Sequence, residues 1–144
     1  MIKYLTLIIF ILLLSCKNST PPPSAPVIQT ISSGQAHNFI LQQIENPSFI
    51  IVDVRTNQEF ESGHITNAIN IDWLDQSNHQ KLLSYPKTHT ILIYCQSGRR
   101  SLSAAQFLNT NGYKSVFNIY GGIINWNQTI QSLTPDPKNE INYQ

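Results

Sequence analysis

The sequence predicts an α/β domain in which a largely parallel sheet is covered by helices on both faces, and three observations carry the prediction. Two runs, Phe49-Ile50-Ile51-Val52-Asp53-Val54 and Thr90-Ile91-Leu92-Ile93-Tyr94, are rich in β-branched and apolar residues, as central strands buried on both faces are. Between the strand-like runs, apolar residues recur at helical spacing. The segment that holds all of them, residues 27–133, is close to the commonest domain size and long enough for a real core.

The elements follow in order. Residues 27–31 form a short strand, and Ser32 or Ser33 caps a helix that places Ala36, Phe39, Ile40 and Ile44 on one face. After the strand at 49–54, Thr56 with Glu59 three residues on resembles a capping box for a short helix ending at Gly63. Residues 69–71 form another small strand, and residues 76–84 a helix behind Asp75. The strand at 90–94 delivers Cys95, and a helix from Ser101 turns Leu102, Ala105 and Leu108 inward before stopping near Asn111-Gly112. Residues 116–119 are the fifth strand; Gly121-Gly122 opens a last helix with Ile123, Trp126 and Ile130 inward.

Composition narrows the function classes. With 41% apolar and 12% charged residues, the chain is not disordered throughout, and a formal charge of +1 with no basic stripe argues against nucleic acid as a partner. His37, His79 and His89 have no partner at ligand spacing, so neither a metal site nor a cofactor is expected.

The two ends differ from the middle. Lys3 precedes an apolar stretch at residues 5–14 broken only by Thr6, and residues 1–15 therefore read as an export signal. Ten such residues span roughly 15 Å as a helix, too short for a bilayer core of about 30 Å. Leu13-Leu14-Ser15-Cys16 resembles the lipobox of bacterial lipoproteins, with Cys16 the acylated residue; an ordinary cleaved signal and a retained anchor are the alternatives. Residues 16–26 then form a proline-rich tether, and residues 134–144 a flexible tail. The expectation is a domain tied by lipid to a bacterial membrane, facing the periplasm or the exterior. Lys17 stands where an aspartate would retain some lipoproteins at the inner membrane, which favours the outer one.

Cys95 is where the chemistry is expected. Acylation of Cys16 leaves it the only free thiol in an oxidising compartment. Between a strand end and a helix start, its sulfur faces unpaired N–H groups and a helix dipole, surroundings that lower a thiol pKa to about 3.5–7.5. Arg99 and Arg100 in the same loop add positive charge for an anionic substrate or for the sulfur.

These residues resemble the rhodanese family of sulfurtransferases over nearly the whole domain. Asp53-Val54-Arg55, Glu59-Phe60 and Gly63-His64-Ile65 with Ala68 and Asn70 are similar to its first signature. Cys95-Gln96-Ser97-Gly98-Arg99-Arg100-Ser101 is similar to its active-site loop, and Gly112-Tyr113, Val116, Gly121-Gly122 and Trp126 to its closing one. The resemblance implies a three-layer α/β fold with a central, mostly parallel five-stranded sheet. It also implies that Cys95 takes sulfane sulfur from thiosulfate or a persulfide donor and hands it to a thiol or cyanide acceptor.

Within that resemblance the N–H groups from Gln96 to Ser101 form a nest for the persulfide anion, and Gly98 lets the backbone curl around it. Arg100 matches the family's loop arginine and closes the cradle, whereas Arg99 sits at a variable position and points to solvent or helps bind substrate. Ser97 is expected either to donate its hydroxyl to the sulfur or to cap the loop. Asp53 and Arg55 lie near the loop in a supporting role, with Arg55 pairing to Glu59 four residues on; His64 is a structural hydrogen-bonder. Gln96 departs from the pattern, because many related loops carry a basic residue there, and this points to a donor less anionic than thiosulfate.

Two other readings compete. Cysteine phosphatases and arsenate reductases close a similar loop with an arginine six positions after the cysteine; here that position is Ser101 and the arginine comes one residue early. A non-enzymatic, membrane-tethered sulfur carrier or interaction module is the other.

Overall fold

The computed structural model describes residues 28–133; the expected signal peptide, Cys16, the tether and the tail lie outside the described residues. Five strands, β1 (Gln29–Ile31), β2 (Phe49–Asp53), β3 (Ala68–Asn70), β4 (Thr90–Tyr94) and β5 (Val116–Ile119), form one sheet in the order β1-β5-β4-β2-β3. Every pairing is parallel, as the alternation of strands and helices predicts. The two apolar runs are the central pair β2 and β4, and Val52 and Ile91 through Tyr94 are fully buried.

Helices cover both faces. Helix α4 (Arg99–Thr110) and the short α3 (His79–Leu82) close one core, where Leu82, Ala104, Ala105 and Leu108 meet Val52, Ile91 and Ile93. Helices α1 (Ser33–Gln43) and α5 (Gly122–Leu133) close the other, where Ala36 and Ile123 meet Ile51, Leu92 and Tyr94. Strand alternation does the sorting: Ile91, Ile93 and then Cys95 fall on the α4 side, Leu92 and Tyr94 on the α1/α5 side.

Local details correct the expected boundaries and faces. Ser32, rather than Ser33, caps α1, in a reciprocal box with Gln35. The helix stops at Gln43, so Ile44 is 47% exposed instead of inward. The third strand is one residue earlier than expected and turns Ile69 partly to solvent. Residues 76–84 divide into a 3-10 turn (Gln76–Asn78), capped by Asp75, and α3. On α4 it is Ser101, Ala104, Ala105 and Leu108 that are buried, and Leu102 faces out.

The chain runs outward from β2 to β3, then returns past β2 to β4 and on to β5. The crevice beyond the carboxyl ends of β2 and β4 is thus where successive connections diverge, the usual place for a site in an open parallel sheet. The loops carrying Asp53-Val54-Arg55 and Cys95 both leave there. Among the described residues no helix is long and apolar enough to cross a membrane.

Candidate active site

Cys95 is a free thiol, 1% exposed, immediately after β4. The Gly98 N–H donates to its Sγ at 3.2 Å, and the Ser101 hydroxyl at 3.4 Å. Burial works against the thiolate, yet the Ser101 hydroxyl and the N–H groups of Ser101, Ser97 and Gly98 outweigh it, and the pKa of Cys95 falls below the ordinary thiol value. Of these donors the Ser101 N–H belongs to the first turn of α4, where amides otherwise have no intrahelical partner.

Two expectations are corrected here. The hydroxyl on the sulfur belongs to Ser101, while Ser97 is exposed and contributes only its amide. The helix begins at Arg99, two residues before Ser101, because Gly98 makes the left-handed turn (φ +91°) that ends the loop. A Cβ at Gly98 would lie 3.2 Å from Gly121 N and Ile119 O, so the loop is pressed against the turn that opens α5.

That turn holds the loop from behind. Ile123 N–H donates to the Cys95 carbonyl at 2.9 Å and Ile124 N–H to the Gln96 carbonyl at 3.3 Å. With the carbonyls fixed on α5, the following amides are oriented toward the sulfur. The approach requires glycine at position 122, which has φ +58° and whose Cβ would lie 2.2 Å from the Cys95 carbonyl oxygen. Consecutive glycines after a strand, which open α5 and belong to the family-like closing stretch, are the sequence signal for this contact. Asn118 adds a weaker tie, its Nδ2 donating to Gly98 O at 3.4 Å.

Glu59 pairs with Arg100, not with Arg55 as its helical spacing suggests. Its carboxylate takes both terminal nitrogens of Arg100, at 2.8 and 2.6 Å, and the amide and hydroxyl of Thr56, each at 3.0 Å. Those bonds, Arg100 first, lower its pKa to about 2. Arg100, so held, stands close enough to Cys95 for its charge to act on the sulfur. Arg99, next to it, is exposed.

Arg55 pairs with Asp53 instead of Glu59. Its Nε and Nη2 lie 2.9 and 2.7 Å from Asp53 Oδ2, its own amide donates to Oδ1 at 2.9 Å, and Nη2 also donates to Gly63 O at 2.6 Å. Asp53 is fully buried and Arg55 3% exposed. Burial opposes the guanidinium charge, but the Asp53 hydrogen bonds and charge prevail. The guanidinium also sits 5.9 Å above the Tyr94 ring, whose hydroxyl accepts from Ile65 N–H at 3.0 Å. The pair thus pins the loop after β2, including α2 (Asn57–Glu61) and its Glu59, against the end of β4. His64 stacks on Phe60 at 3.8 Å and bonds its carbonyl at 3.0 Å through Nδ1, away from the sulfur. Among the described residues no cluster of His, Cys, Asp or Glu could hold a metal ion.

The Glu59→Gln variant is expected to keep α2 capped but lose the charge that holds Arg100. Because the folded pKa lies below the unfolded value of 4.5, this contribution is full above pH 4.5 and vanishes as pH falls toward 2. Side chains 22% and 31% exposed reduce it to about 1–2 kcal/mol. Urea unfolding of wild type and variant should therefore differ by that amount near neutrality and converge in acid.

Comparison with known proteins gives a consistent picture. The profile of the rhodanese-like domain family matches residues 37–129. A tRNA uridine(34) hydroxylase of Yersinia enterocolitica is 36% identical over 90 residues, which are 59% of this chain and 25% of that protein; the chain thus spans about a quarter of the length of its curated relatives. A rhodanese-like domain protein from Staphylococcus aureus is 31% identical with a TM-score of 0.58, over 69% of this chain and 91% of that one. A rhodanese-related protein from Thermoplasma volcanium is 27% identical with a TM-score of 0.56, over 74% and 95%.

Proposed function

The chain belongs to the rhodanese-like domain family, and from that premise we propose that it is a sulfurtransferase that carries sulfane sulfur on Cys95. The observation that supports the reading most is the ring of N–H and hydroxyl donors around one buried sulfur, with Arg100 beside it. These donors favour the thiolate before reaction and the persulfide anion after it.

In the first half-reaction the Cys95 thiolate attacks the outer sulfur of the donor. A Cys95–S bond forms, the donor's S–S bond breaks, and with thiosulfate the electron pair leaves on sulfite. In the second, a thiol or cyanide attacks the outer sulfur of the persulfide, and the electron pair of the breaking bond returns to Cys95. Kinetics are ping-pong. With Gln96 neutral, Arg100 engaged by Glu59 and Arg99 exposed to solvent, little unshared positive charge is held at the sulfur for thiosulfate, which favours a persulfide as physiological donor. Position 101, where a cysteine phosphatase would place its arginine, here carries a hydroxyl bonded to the sulfur.

Intact-mass spectrometry after thiosulfate treatment should show one added sulfur on Cys95, and turnover with cyanide should follow. An adduct without turnover would make the domain a carrier; no adduct together with hydrolysis of an aryl phosphate would overturn the proposal. Arg100→Ala should slow loading about tenfold or more, the scale of a charged hydrogen bond, and Arg99→Ala less than about twofold. Equal effects would remove Arg100 from the cradle.

Export and acylation at Cys16 complete the proposal and rest on the sequence alone. In a bacterial host Cys16→Ser should move the protein out of the membrane fraction.

A further inference from the structure

Beside the cradle, between the loop after β2 and the first turns of α5, lies a cleft of about 480 Å3. The two charged residues that line it are engaged elsewhere: Arg55 with Asp53 and Gly63 O, Glu59 with Arg100 and Thr56. What remains to meet a ligand is neutral. Gln96 and Asn127 line the cleft, their carboxamides without a hydrogen-bond partner among the described residues, and Ile123 and Ile124 add apolar surface. Ile124 N–H holds the Gln96 carbonyl, so the cleft is joined to the residue next to Cys95 through a fixed backbone contact. Asn127 follows one turn later on the same face of α5.

This volume falls in the range of small-molecule sites and far exceeds what cyanide or thiosulfate fills. A carboxamide offers both donors and an acceptor, as a peptide group does, and two of them in reach of aliphatic side chains match a short stretch of peptide backbone. Resting on the sulfurtransferase reading above, we propose that the cleft is the acceptor subsite and receives a peptide-like thiol by its amide groups, through Gln96 and Asn127. The acceptor thiol gives its proton to solvent and attacks the outer sulfur of the Cys95 persulfide. A new S–S bond forms on the acceptor, the Cys95–S bond breaks, and its electron pair remains on Cys95 within the cradle.

The test uses the whole protein with three acceptors: N-acetylcysteine N-methylamide, mercaptoethanol and cyanide. Asn127 is exposed, so Asn127→Leu leaves the fold unchanged, and the KM for each acceptor is compared on enzyme loaded with sulfur to the same extent. KM for the capped cysteine should rise about tenfold while the other two acceptors stay as they are, and Asn127→Gln should recover much of the loss. A parallel rise for mercaptoethanol, or none for the capped cysteine, overturns the proposal. The cleft is also read without sulfane sulfur, by the rate at which the Cys95 thiolate exchanges with the symmetric disulfide of each thiol. A preference for the capped-cysteine disulfide that Asn127→Leu abolishes supports the subsite even if no persulfide forms, in which case the sulfurtransferase reading alone fails. No preference in exchange refutes the subsite whatever the loading result.

Discussion

Replacement of Cys95 by serine is expected to abolish sulfur loading completely and leave a folded protein. The hydroxyl fills nearly the same buried volume, and the Gly98 N–H and Ser101 hydroxyl can still bond an oxygen there, so no polar group is stranded. What disappears is the anion, since no surroundings of this kind ionise a serine hydroxyl near neutral pH. The stability difference from wild type should depend on pH with a definite sign. The folded thiol pKa lies below the unfolded one, about 8.5. Its contribution is therefore fully present above about pH 8.5 and is lost as pH falls through the folded value. Intact mass after thiosulfate, with thermal melts at acid and alkaline pH, checks both halves. A sulfur adduct on the Ser variant would place the chemistry elsewhere.

Gly122→Ala should have the next largest effect, although residue 122 carries no functional group. The new Cβ would lie 2.2 Å from the Cys95 carbonyl oxygen and 2.7 Å from Gln96 C and O, and backbone atoms cannot swing aside as a flexible side chain can. The left-handed φ of +58° adds strain for any residue with a Cβ. Relief requires the loop and α5 to separate, which costs the two carbonyl bonds from Ile123 and Ile124. A loss of about 2–4 kcal/mol is expected from the overpacking and strain together. Loading should slow at least about tenfold, in line with a donor removed from an anion site. Since the loop amides are no longer aimed at the sulfur, the pH profile of iodoacetamide alkylation should shift upward, toward an ordinary thiol. An unshifted profile would show that α5 does not set the cradle. Gly34→Ala, at a helical site with nothing within 4 Å of its Cβ, serves as the control and should be neutral or slightly stabilising.

Much of this architecture could be read from composition and period. β2 and β4 stood out because strands buried on both faces leave no polar alternation, and Thr56 with Glu59 forms the box its spacing announces. The loop amides could be placed from the strand-to-helix position of Cys95. What stayed hidden depends on neighbours distant in the chain. Glu59 satisfies the helix rule for Arg55, yet Arg55 turns back to the buried carboxylate two residues earlier, and Glu59 reaches an arginine 41 residues away. Helical spacing placed Leu102 with Ala105 and Leu108, but the sheet sits under the adjacent stripe of Ser101, Ala104, Ala105 and Leu108. A serine buried mid-stripe looks like a polar intrusion until the sulfur beside it is known.

The Glu59–Arg100 bridge has a consequence for when the protein becomes reactive. Its halves come from two helices, α2 and α4, that meet only once β2 and β4 have paired, and the amides around Cys95 take their directions from α5, the last of the described elements to be made. A chain still emerging or unfolded therefore carries an unremarkable cysteine, mostly protonated at neutral pH and slow toward oxidants. Reactivity is switched on by completion of the fold, so a molecule that stalls on the way, or later comes apart, loses its nucleophile together with its structure.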